Sequence, residues 1–278
     1  MILKYLTTVP GINFDTHSFK IDDRKLGFLL FDYRPSIWIY EIHENMFRSF
    51  ILKTPPTPIG EVLSVSYNGK VVIIATNPYI HFYTLDGNYI TTEVLPTDDD
   101  VDTIVSSIDH GTTAVITDNG IAYLLDDFVF REIGKFKIPT MHSSYAICRD
   151  KLYRVGGFVS VTIPNTCVER MNFLGETRVL TDKLLSTHDS CVVLQNKELV
   201  IMDIAESLND FMLSSALLVN VDEDTNPSVL EYQIQYVPLP FSSSGYKIHS
   251  LGVDNHFLIY GGSGHFKDKI FTISLDST

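Results

Sequence analysis

At 278 residues the chain is long enough to bury a full core, and its formal net charge of −13 argues against a phosphate backbone as main partner, so nucleic-acid binding is excluded. Fourteen Tyr and 17 Phe against a single Trp, with Ile, Val, Leu and Thr dominating the apolar runs, favour pleated, half-buried surfaces. No run approaches the roughly 18–20 apolar residues that span a bilayer, and MILKYLTTVPG lacks the charged and continuous apolar regions of a signal peptide. A cytoplasmic protein with no membrane contact is expected.

Taken in chain order, six segments share one design: SFKIDDRKLGFLLFD (18–32), LSVSYNGKVVIIAT (63–76), VSSIDHGTTAVIT (105–117), SSYAICRDKLYRVGG (143–157), LLSTHDSCVVLQ (184–195) and HSLGVDNHFLIYGG (249–262). Each is a small, Ser-rich alternating strand, a polar turn, and a more apolar strand. The turns carry Asp22-Asp23, Asn68-Gly69, His110-Gly111, Arg149-Asp150, Asp189-Ser190 and Asp254-Asn255. Asn-Gly between alternating apolar runs is the strongest short hairpin signal, because both central residues must take positive φ. A third strand follows each hairpin: SIWIYEI (36–42), YIHFYTL (79–85), IAYLLD (121–126), TCVERMNF (166–173), ELVIMDI (198–204) and KIFTISL (269–275). Fourth strands FRSFILK, YITTEVL, FREIGKF and ETRVL complete most units.

A four-strand antiparallel unit recurring at roughly 40–50 residues is the signature of a propeller blade. The expectation is an all-β chain forming a single β-propeller domain over 1–278, with six blades. Its last unit has no fourth strand, and MILKYLTT has no hairpin partner; pairing the two closes the ring and removes an open sheet edge. Residues 205–245 read as an insertion within the fifth blade, with AESLNDFMLSSALL on a helical period and VLEYQIQYVPL as the fourth strand. A seventh, degenerate blade built from ALLVNV and VLEYQIQ is the alternative.

Two units end their second strand on a glycine doublet, LYRVGG before TCVERMNFLGETR and FLIYGGSG before KIFTISL. Both resemble kelch repeats, in which an apolar strand ends in Gly-Gly and a third strand of V-E-x-Y type follows. The other four units look more like generic propeller or WD-type blades without the WD dipeptide. The resemblance implies the propeller fold, and a role as a binding platform or adaptor, although no BTB-like or F-box-like module accompanies it.

Catalytic and ligand motifs are sparse. GGSGHFKDK (261–269) matches neither phosphate-binding register and opens no helix. His188-Asp189-Ser190 holds the residue types of a hydrolase triad but reads as a hairpin turn. TDDDVD (97–102) and DED (222–224) lack calcium-loop spacing and read as solvated loops. Cys148, Cys167 and Cys191 form neither a disulfide framework nor a zinc pattern, and read as small buried hydrophobes in a reducing compartment. No metal, no cofactor and no catalytic residue are expected.

Function is therefore placed on the loops of one propeller face, where second strands meet third strands and successive blades join. Tyr33, Arg34, Tyr79, Asp118, Phe158, His265 and Phe266 lie in those loops. Such residue types anchor protein interfaces because they bury large areas or make bidentate contacts. A protein or peptide partner is expected, or a place as a structural subunit of a larger assembly such as a viral particle. The rival reading is a carbohydrate-active or other small-molecule enzyme working at the central channel mouth. It predicts carboxylates facing the channel from the first strands.

Overall fold

In the computed structural model the described residues are 2–9, 11, 16–31, 34–184, 190–195, 198–206, 211–218, 221, 230–235, 246–251, 256–261 and 268–274. All of their regular structure is β. The strands in chain order are β1 (Ile2–Thr8), β2 (His17–Asp22), β3 (Lys25–Phe31), β4 (Pro35–Glu41), β5 (Met46–Ile51), β6 (Val62–Tyr67), β7 (Val72–Thr76), β8 (Tyr79–Tyr83) and β9 (Tyr89–Val94). There follow β10 (Val101–Ser107), β11 (Thr112–Thr117), β12 (Ile121–Asp126), β13 (Val129–Lys135), β14 (Ser144–Cys148), β15 (Lys151–Val155), β16 (Phe158–Ser160), β17 (Ile163–Pro164), β18 (Val168–Asn172) and β19 (Thr177–Thr181). The last are β20 (Ser190–Gln195), β21 (Glu198–Glu206), β22 (Phe211–Leu218), β23 (Leu230–Gln235), β24 (Tyr246–Ser250), β25 (His256–Gly261) and β26 (Lys269–Ser274).

Four-stranded antiparallel sheets form from consecutive chain in the orders β2-β3-β4-β5, β6-β7-β8-β9, β10-β11-β12-β13, β14-β15-β18-β19 and β20-β21-β22-β23. A further four-stranded sheet, β1-β26-β25-β24, takes its outer strand from the other end of the chain. There Ile2 faces Ser274 and Thr8 faces Lys269, so the partnerless N-terminal strand does pair with the last one. The first strands stand side by side around a centre: β2 beside β6, β6 beside β10, β10 beside β14, β14 beside β20, and β20 beside β24. Between β24 and β2, Ser18 Oγ lies 2.8 Å from His249 Nε2. This is a β-propeller.

The sequence alternation explains why the sheets stack. The second strands are buried on both faces, as VIIAT in β7 and KLYRV in β15, because each sheet is covered by a neighbour on either side. Apolar cores therefore lie between sheets. Leu29, Ile37, Val72 and Tyr83 join the β2–β5 and β6–β9 sheets. Leu26, Phe28 and Tyr40 meet Leu258, Tyr260 and Ile270 across the closing interface. Outermost strands are wetter, and β5 and β13 carry mostly exposed residues.

Two expectations are corrected in the fifth consecutive sheet. SCVVLQ is its first strand and not its second, so ELVIMDI becomes the second, while VLEYQIQ is the fourth strand as expected. FMLSSALL is not helical: as β22 it pairs along β21, Leu199 facing Leu218 and Glu206 facing Phe211. A weak helical period loses to the long open edge that β21 offers, since strand formation depends on cross-strand packing more than on intrinsic preference. Because β22 and β23 belong to the same sheet as β21, ALLVNV and VLEYQIQ do not start a seventh blade. The Asp189 part of the expected turn and the DED acidic loop lie outside the described residues.

Candidate functional site

The glycine doublet after β15 marks a departure from the blade pattern. Gly156 and Gly157 both take positive φ, 62° and 83°, which turns the chain out of the sheet before it returns as β18. Between them and β18 the chain builds a small projecting hairpin of β16 and β17, with Phe158 facing Pro164 and Ser160 facing Ile163. The hairpin is tied down at its base. Met141 and Phe158 exchange two backbone hydrogen bonds of 2.9 Å, and Asn165 N donates to Gly157 O at 2.7 Å. Asn165 Nδ2 also donates to Gly156 O at 2.9 Å. No Cβ fits on Gly157, since it would lie 2.6 Å from Met141 O.

The tip of this hairpin is apolar and open to water. Val161 is 85% exposed, Ile163 57%, Val159 44% and Met141 43%. Exposed apolar residues scattered singly are ordinary; three on one projection, with Met141 at its base, are not.

Acidic groups lie on the neighbouring β10–β13 sheet, at the same end of the strands. Val101 faces Thr117 and Ile121 faces Lys135 in that sheet, as Ser144 faces Val155 in the next, so the β11–β12 turn and the β15–β18 connection share a side. Asp118 is exposed in that turn and its N–H donates to Asp100 O at 2.9 Å. Asn119 Nδ2 donates to Asp99 Oδ1 at 2.7 Å, and Asn77 Nδ2 donates to the Asp100 carboxylate. Below them Asp102 faces His142, Tyr145, Asp118 and Arg154. Its burial outweighs the favourable charges of His142 and Arg154 and pushes its carboxyl up to about 6. Burial likewise raises the Tyr145 phenol.

Beneath the hairpin, Arg154 and Glu169 form a salt bridge whose side chains are 0% and 1% exposed. They face one another across β15 and β18. The guanidinium also donates to Ile138 O and lies 4.5 Å from the centre of the Phe136 ring. Arg154 Nε and Glu169 Oε1 find no hydrogen-bond partner among the described residues.

The central channel is a second candidate, a cavity of about 550 Å³ lined by the first strands. Its wall mixes hydroxyls, including Ser18, Ser66, Ser106 and Ser250, with apolar residues such as Val65, Ile104 and Ile147, and Asp22, Asp23 and Asp109 lie near one end. Several hydroxyls are engaged internally: Ser106 with Thr113 at 3.0 Å, and Ser18 with His249. Burial holds the His249 ring down to about 3, with Lys20 and Lys247 pushing the same way. No set of three or more ligating side chains that could hold a metal occurs among the described residues.

Of the sequence-predicted residues, Arg34, Tyr79, Asp118 and Phe158 each lie at the connection between a second and a third strand. Asp118 and Phe158 come to one side of adjacent sheets. Arg34 is exposed just before β4, on a different sheet. Tyr79 opens β8 half-buried, its ring 6.3 Å from that of His81, which is buried among Thr76 and Thr92. Tyr33, His265 and Phe266 lie outside the described residues. Sequence reasoning missed Met141, Val159, Val161 and Ile163. The signal was present in GGFVSVTIPNT, an alternating run between second and third strands, where the β3–β4, β7–β8 and β11–β12 connections are only two or three residues long.

No family model and no curated protein matches the chain. Among solved structures it is similar to virginiamycin B lyase from Staphylococcus aureus, with a TM-score of 0.55 and 14% identity, over 91% of this chain and 77% of that one. At that identity the likeness speaks to the fold: the chain is a β-propeller. No helix among the described residues is long and apolar enough to cross a membrane.

Proposed function

We propose that the chain is a six-bladed, single-domain propeller of kelch-like type, acting as a non-catalytic platform that docks a protein or peptide. The projecting β16–β17 hairpin carries this reading, because a solvated strand pair with Val161 and Ile163 at its tip gains by being covered. The three cysteines, at spacings that match no disulfide framework, fit a reducing compartment, so we place it in the cytoplasm. The test is capture from lysate of its own source by immobilised wild type and by Val161→Ser/Ile163→Ser, with melting checked for both. A partner kept by the first and lost by the second supports the platform. No partner, or one indifferent to the change, overturns it.

The channel supports a second reading, a carbohydrate-active or other small-molecule enzyme, on the Ser18–His249 contact in a wall that also carries Asp22, Asp23 and Asp109 toward one end. The similarity to a lyase agrees with it only at the level of fold. A ring held near 3 is a weak base at neutral pH, which counts against a Ser–His nucleophile. Labelling of Ser18 by a fluorophosphonate, lost in Ser18→Ala, would reverse that judgement.

A further inference from the structure

We propose that the β16–β17 hairpin and the carboxylates beside it receive a basic segment of a partner protein that carries apolar anchors. The inference rests on the platform reading and names the chemistry of what docks. Two independent features converge. The hairpin offers Val159, Val161 and Ile163, with Met141 beside its base, and its backbone is already held by the Met141–Phe158 and Asn165–Gly157 bonds. Little conformational freedom would be lost on covering it.

Asp99, Asp100 and Asp118 are joined in one patch by the Asp118–Asp100 backbone bond and by the two Asn amides, which fix the loop and leave negative charge outward. The patch and the hairpin lie at the same end of neighbouring sheets, where β10 stands beside β14 and Met141 pairs with Phe158. Lys135 and Lys137 are exposed on the approach to Met141 and bound the acidic patch there. A partner's cations are thereby directed to the Asp118 side and its apolar residues to the hairpin. A second copy of this chain is the poorer occupant, because each copy carries a net charge of −13.

The test measures binding of three fluorescein-labelled synthetic peptides to the full chain by anisotropy: alternating Lys and Leu, alternating Glu and Leu, and alternating Lys and Ser. The Lys/Leu peptide should bind at least about tenfold more tightly than either other. Val161→Ser/Ile163→Ser should lose at least about tenfold, a change these exposed sites tolerate without unfolding. Asp99→Asn/Asp100→Asn/Asp118→Asn should weaken binding similarly and make the remainder insensitive to salt. Lys/Leu binding unchanged by the hairpin substitutions overturns the inference. Glu/Leu binding as tight as Lys/Leu, yet lost in the hairpin variant, overturns the basic partner while leaving the platform standing. Failure of all three peptides overturns the inference alone, since the capture experiment judges the platform separately.

Discussion

Removing one member of the Arg154–Glu169 pair should do more damage than removing both. Each side chain is almost wholly out of water, and Glu169 Oε1 already lacks a hydrogen-bond partner among the described residues. Arg154→Met leaves a buried carboxylate alone, and Glu169→Leu leaves a buried guanidinium with Ile138 O and the Phe136 ring. Breaking such a pair costs about 3–5 kcal/mol, whereas replacing both charges with apolar residues of similar volume is often neutral or stabilising. With an unfolding entropy of roughly 2.1 cal/mol/K per residue, each single variant should melt about 5–9 °C lower. The double variant should return to within about 1–2 kcal/mol of wild type. Urea unfolding followed by fluorescence, with all four proteins compared at the same m-value, gives the coupling energy directly. Single losses below about 1 kcal/mol, or a double loss equal to the sum of the singles, would refute the argument that desolvation dominates this pair.

Asp102 gives a pH signature. Its folded carboxyl titrates near 6 against an ordinary 3.8, so folding favours the protonated form; the stabilisation is complete below about 3.8 and is lost as pH rises through 6. The full shift corresponds to at most about 3 kcal/mol, so Asp102→Asn should be more stable than wild type at neutral pH and indistinguishable in acid; equal stability of the two at both pH values would exclude it. Gly157→Ala should lose more than about 1 kcal/mol in chemical denaturation, because φ is +83° and the added carbon meets Met141 O. Deleting residues 1–9 removes β1 and the fully buried Val9, itself worth about 1.5–3 kcal/mol, and should lower the melting temperature by several degrees. A truncated protein that melts within a degree or two of the full chain would show that β1 does not seal the ring.

The sheets were legible where turn chemistry and alternation agree. Asn68-Gly69 and His110-Gly111 sit between a Ser-rich strand and an apolar one, and both glycines take positive φ, although Asn68 does not and the β6–β7 loop runs over residues 68–71. The fifth consecutive sheet misled because STHDS has the composition of a turn while the first strand, SCVVLQ, is as apolar as a second strand elsewhere. Burial differences between first and second strands are a matter of degree, so one shifted strand reads plausibly. The candidate site was harder. Phe158 and Asp118 could be assigned to a face from strand parity alone, but whether Val161 points outward depends on how the hairpin leaves the sheet. The same holds for Arg154 and Glu169. In KLYRV and CVERM they pass as outward-facing charges, and only the covering sheet makes them interior.

The clasp between the first and last strands has a mechanical consequence. Ile2 faces Ser274, so the two outer ends of the pair lie together, and the ladder runs inward to Thr8 and Lys269. Handles attached near residues 2 and 274 and drawn apart would load one pair at a time, peeling the ladder from its outer end. Handles placed on Thr8 and Ser274 would instead strain every rung together. The propeller should therefore tolerate heat well for as long as β1 stays paired, yet part under a small tension applied at its two ends.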